Sequence, residues 1–170
     1  MKNSIPIILL LLISTLFSCA NPDNMSIEPI DKELNERLIT GERLRPELFS
    51  RTDLLQYYQV ADADGLPPND VQHKLDTFIS TTYKLEDISK ANSFTVFFYN
   101  KKMTVDYSEN LYESVRDNEN GAISGQEDNL LDVVTFQKIK GSDDKLLRYR
   151  IQYNDGTPVL DLKDTLEIKE

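Results

Sequence analysis

The tightest constraint on this chain lies near its C-terminus. There Leu147, Tyr149, Ile151 and Tyr153 alternate with Arg148, Arg150 and Gln152. A period of two marks a strand with one buried and one solvated face. Asn154-Asp155-Gly156 follows, and these residue types adopt positive φ cheaply, so the segment reads as a hairpin turn. Beyond it Leu160, Leu162, Leu166 and Ile168 continue on one face, with Asp161, Lys163 and Glu167 on the other. The pattern predicts an antiparallel pair in which Leu147, Tyr149, Ile151 and Tyr153 face the core. Arg148, Arg150 and Gln152 then face solvent or a partner.

Upstream, residues 93–106 are rich in β-branched and aromatic side chains, and residues 133–140 give another strand. Before them Val71, Leu75, Phe78, Ile79, Thr82 and Leu85 trace one face of a helix that runs from a cap at Asn69 or Asp70 to Ile88. Residues 31–39 and 46–61 also carry helical spacing, and the turn-rich residues 62–68 separate them from the long helix. The expected fold class is α+β: N-terminal helices, then one long helix packed on an antiparallel sheet of about four strands. In element order alone it resembles cystatin-like and NTF2-like shapes, which implies no function. Residues 30–66 are expected as a helical leader and 67–170 as the compact domain.

The N-terminus reads as an address. Lys2 supplies a positive charge, residues 5–17 form a nearly unbroken apolar run, and small Ser18 and Cys19 precede a polar stretch. That is the layout of a secretory signal, and the run is too short to span a bilayer. Leu16-Phe17-Ser18-Cys19 resembles the lipobox of bacterial lipoproteins. The resemblance implies cleavage after residue 18 and lipidation of Cys19; residues 19–29 read as a polar tether, in which Pro22 and Pro29 oppose helix. The resemblance also implies membrane anchorage through acyl chains. Ala20, where an Asp would signal inner-membrane retention by the same analogy, favours an outer-membrane destination with the domain in the periplasm or at the cell surface. Loss of Lys2 would leave the mature chain more negative still than the −10 of the full sequence.

One His, one Cys and no Trp exclude a Cys/His zinc site and an intramolecular disulfide. The acidic balance argues against nucleic acid, because phosphate neutralisation needs clustered Lys and Arg. Asp117, Glu119, Glu127 and Asp128 supply oxygen ligands of the kind Ca²⁺ prefers, but the register is not that of an EF-hand, and a solvated acidic loop accounts for them as well. His73, with Asp76 and Thr77 one turn on and Ser80 a further turn along, is the beginning of a base arrangement. No nucleophile motif accompanies it, and no Gly-rich phosphate loop exists. No metal or other cofactor is expected.

Adjacent residues on a strand point to opposite sides, so Phe97 and Phe98 cannot share a face. Phe97 and Tyr99, with Arg148 and Arg150, are therefore the candidate partner-binding residues. The expectation is a non-catalytic, lipid-anchored envelope protein that binds a protein partner, as an assembly accessory or an immunity protein. The alternatives are a small-molecule carrier with a pocket between helix and sheet, and a periplasmic hydrolase.

Overall fold

The computed structural model describes residues 21–39, 53–100, 122–123, 125–142, 144–154 and 157–168. Cys19 and the turn residues Asp155 and Gly156 lie outside them, as do residues 40–52 and 101–121 with most of the acidic loop.

Among the described residues the chain is built mainly of strands. Six of them form one sheet in sequential order: β1 (Ser26–Pro29), β2 (Asp53–Ala61), β3 (Ser93–Asn100), β4 (Leu130–Lys138), β5 (Lys145–Asn154) and β6 (Thr157–Glu167). Helix α1 (Lys32–Ile39) lies between β1 and β2; α2 (Pro68–Thr82) and the single turn α3 (Leu85–Ile88) lie between β2 and β3. The pairing is antiparallel except for β2 and β3, which run parallel. A parallel pair needs a crossover, and α2 supplies it.

This corrects the expected fold class: the sheet dominates, and a helix on four antiparallel strands is not the architecture. The largest error is the 46–61 helix, whose described part is β2. Leu55 and Tyr57 are buried on one side of β2, Tyr58 and Val60 on the other. A strand covered on both faces loses its alternation, and a short apolar run then mimics helical spacing. The expected leader thus contributes an interior strand, and β1 arises inside the expected tether, with Met25 beside it in the core.

The expected 69–88 helix is also broken. It starts earlier, with Pro68 in its first turn, where a missing N–H is harmless. It ends at Thr82, after Thr77, Ser80 and Thr81 turn their hydroxyls back onto helix carbonyls. Tyr83 then leaves in an extended conformation (φ −124°, ψ 134°). Its ring packs edge-on against Phe94, and its hydroxyl meets the Tyr58 hydroxyl and donates to Gln56 Oε1 at 3.0 Å.

Two cores result. On the α2 side, Val71, Leu75 and Ile79 press on Tyr58, Val60, Phe94, Val96, Phe98, Val134, Phe136 and Leu146. Each such aliphatic side chain contributes about 1.5–3 kcal/mol. On the α1 side, Leu34, Leu55, Tyr57, Phe97, Tyr99, Ile123 and Leu130 form the second, with Tyr57 and Phe97 stacked at 5.2 Å.

Candidate functional site

The β5–β6 register decides what the site contains. The hairpin starts as expected, with Asn154 opposite Thr157 and Tyr153 opposite Pro158. A bulge then leaves Val159 unpaired, so Gln152 meets Leu160 and Arg150 meets Leu162. The extra residue puts Leu162, Asp164 and Leu166 on the same face as Arg150, Arg148 and Leu146. Leu146, Arg148, Arg150 and Gln152 point to the α2 side, while Leu147, Tyr149, Ile151 and Tyr153 are half-buried on the other. Pairing with β4 sets this orientation, with Arg150 beside Val134 and Arg148 beside Phe136, so the expected facing of β5 is inverted.

Arg150 is wholly enclosed. Its Nε donates to Asp132 Oδ2 at 2.7 Å, and its Nη1 to Asp76 Oδ1 on α2, also at 2.7 Å. Arg148, one fifth exposed, binds Asp164 of β6 with two bonds of 2.9 and 2.7 Å and lies 3.6 Å from Asp76. Two guanidinium groups thus meet three carboxylates between sheet and helix. Asp132 Oδ1 and Arg150 Nη2 are buried with no hydrogen-bond partner. Burial raises the Asp132 carboxyl to about 7 despite the opposing pull of Arg150.

Beside this cluster, α2, α3 and strands β4–β6 enclose a groove of about 550 Å³. Its apolar wall includes Ile79, Leu85, Ile88, Phe136 and Leu166. His73, Asp76, Thr77, Ser80 and Arg148 bring polar groups, and Lys84 and Glu86 border it near α3. A smaller hollow of about 260 Å³ lies where Leu66 and Val71 approach the bulge residues Leu131 and Val159.

The sequence candidates divide sharply. Arg148 lines the groove; Arg150 sits behind it as the anchor of Asp76. Phe97 and Tyr99 are interior on the α1 side, where the Tyr99 hydroxyl accepts from the Ile123 N–H at 2.8 Å, so neither presents a partner surface. The fold gathers His73, Asp76, Thr77 and Ser80 along one wall, but Asp76 is engaged by arginines and the Thr77 and Ser80 hydroxyls by helix carbonyls. Glu127 and Asp128 are exposed, and no cluster of three metal-ligating side chains occurs among the described residues. Sequence reasoning missed Asp132, although a lone carboxylate inside the apolar run Leu130-Leu131-Asp132-Val133-Val134 signals a buried partner.

No protein-family model, curated protein or solved structure matches this chain.

Proposed function

We propose that this protein is a non-catalytic, lipid-anchored protein of the bacterial envelope that binds a small amphiphilic ligand in the groove between α2–α3 and β4–β6. The observation that carries the binding half is the groove itself: an apolar wall with convergent polar groups from His73, Asp76 and Arg148 on one side. Its volume suits a small molecule. The envelope half rests on Lys2, the apolar run 5–17 and the lipobox-like Leu16-Phe17-Ser18-Cys19. Anchorage through acyl chains on Cys19 would hold an acidic domain at a membrane its own charge does not favour.

Interior placement takes away Phe97, Tyr99 and Arg150, three of the four residues on which a protein-partner reading leaned, and the fourth, Arg148, lines the groove, so the small-ligand reading is preferred. The test uses Ser80, which is exposed on α2 and borders the groove. Native mass spectrometry of the full chain purified from envelope membranes should show a bound small molecule in the wild type. Ser80→Trp, which fills the groove without touching the core, should lose it. Equal occupancy in the two proteins, or none in the wild type, would remove the groove from the account. Independently, Cys19→Ser should abolish labelling by an alkynyl fatty acid; equal labelling of both chains would remove the anchor.

A further inference from the structure

The two edges of the sheet are finished differently. At one edge β1 has four residues and ends on Pro29. Where β1 stops, Ile30 N–H bonds the Tyr57 carbonyl, and the Asn35 side chain of α1 continues the ladder. Its Oδ1 accepts from Tyr57 N–H and its Nδ2 donates to the Tyr57 carbonyl, both at 2.9 Å. Short length, proline and a covering side chain are the devices that keep an edge from pairing.

At the other edge β6 runs for 11 residues, and no strand among the described residues pairs with its outer side. Its only proline, Pro158, lies at its start. Asp161, Lys163 and Thr165 alternate outward and are exposed, while Leu162, Asp164 and Leu166 turn toward the α2 side. An edge of this length, unpaired among the described residues, is a template for another strand.

From this we infer that β6 pairs antiparallel with β6 of a second copy of this chain, about a two-fold axis at Leu162, to give a continuous sheet across a homodimer. Strand overlap and charge together select that register, since Leu162 is the middle of β6 and centring there pairs all 11 residues. Strands related by a two-fold perpendicular to the sheet place each residue opposite its mirror position about the centre. Centring on Asp161, Lys163 or Asp164 sets like charges face to face, which is destabilising. Centring on Leu162 sets Asp161 opposite Lys163 of the other copy, twice by symmetry, and Thr165 opposite Val159. The exposed Val159, 52% accessible, thereby gains cover. Lys163 lies over the Tyr149 ring of its own chain at 5.1 Å, which holds its ammonium on the face where the second Asp161 arrives. The same symmetry keeps both α2 helices, and both grooves, on one side of the joined sheet.

The test exchanges the charges. Two differently tagged full-length copies are co-expressed and co-purified in detergent. Wild type should capture wild type. Lys163→Asp and Asp161→Lys should each lose capture of themselves by about tenfold, because both cross-strand pairs turn repulsive. Together the two variants should recover wild-type capture, since every opposed pair is again complementary. Both positions are exposed, and circular dichroism verifies folding; Lys163→Glu with Asp161→Arg repeats the exchange if either first variant does not fold. Failure of wild type to capture itself, undiminished self-capture by each variant, or no recovery in the mixture would overturn the inference.

Discussion

The two faces of the sheet are closed by different chemistry. On the α1 side Tyr57, Phe97 and Tyr99 stack on one another with ring centroids 5.2 and 6.5 Å apart, within a cluster whose described buried members are all apolar or aromatic. On the α2 side the strands β4 and β5 carry Asp132 and Arg150 at full burial, tied to Asp76 of the helix. Stacked rings tolerate small displacements, because dispersion is summed over many weak contacts. An ion pair at 2.7 Å does not, because the low-dielectric interior penalises any separation. The α1 side is therefore held by area, whereas the α2 side is held in a fixed alignment. The groove lies on the aligned side, with Asp76 on its wall.

The sharpest way to break this contrast is Arg150→Ala. It removes the guanidinium that Asp132 and Asp76 share, and above about pH 7, where Asp132 is ionised, the expected loss is about 3–5 kcal/mol in urea unfolding. Replacing both charges, with Asp132→Asn and Arg150→Met together, should return most of that stability, because the burial penalty disappears with the charges. If the double variant is as unstable as Arg150→Ala, the attraction between the charges does not hold the face, and lost packing volume explains both results. Groove binding measured on the stable double variant then reports whether Asp76 must be held by Arg150.

This experiment also shows what the sequence conveyed. The strands β3 and β5, the hairpin after Tyr153, the helix through Val71, Leu75 and Ile79, and the opposed directions of Phe97 and Phe98 were all legible from local pattern. The facing of β5 was not. Alternation says which residues share a face but not which face the helix covers; pairing with β4 puts the arginines on the α2 side, and the bulge at Val159 brings Leu162 and Leu166 to that same face. β2 was lost for a related reason: burial on both sides erases the alternation that identifies a strand. Of the site, His73, Asp76 and Arg148 could be named separately, but their convergence depends on packing between residues more than 70 positions apart, such as Arg150 and Asp76.

A smaller effect is expected on the α1 side from Tyr99→Phe. The substitution keeps the ring and the stacking on Phe97 but removes the hydroxyl that accepts the Ile123 N–H at 2.8 Å. A buried backbone donor left without a partner costs about 1–3 kcal/mol. Thermal or urea melts give the value. A loss below about 0.5 kcal/mol would mean that the Ile123 amide finds water on losing Tyr99, and that this face is less closed than the α2 side.

The finest distinction between the faces is their response to pH. Asp132 binds its proton up to about 7 in the folded protein, against an ordinary value of 3.8 when the chain is unfolded. Between those values the folded state holds a proton that the unfolded state has released. Raising pH through that window therefore favours unfolding, by about 1.4 kcal/mol per unit where the difference is complete. Below about pH 4 both states are protonated, and above about pH 7 both are ionised, so this group gives no slope in either range. The exposed Asp87 and Asp144 have the opposite sign: Lys90 and Ser142 hold their carboxyls below the usual range, so the stability they confer is lost only on acidification below that window. Urea midpoints taken from about pH 4.5 to about pH 7.5 should fall in the wild type, and Asp132→Asn should flatten them, since an amide has no proton to lose across this range. Tyr99→Phe should leave the slope unchanged while lowering every midpoint, because a tyrosine hydroxyl does not titrate across this range. A wild-type profile that rises with pH would show that Arg150 holds Asp132 ionised at both ends of the window. The α2 side would then be closed by a permanent ion pair instead of a carboxyl that yields its charge to burial.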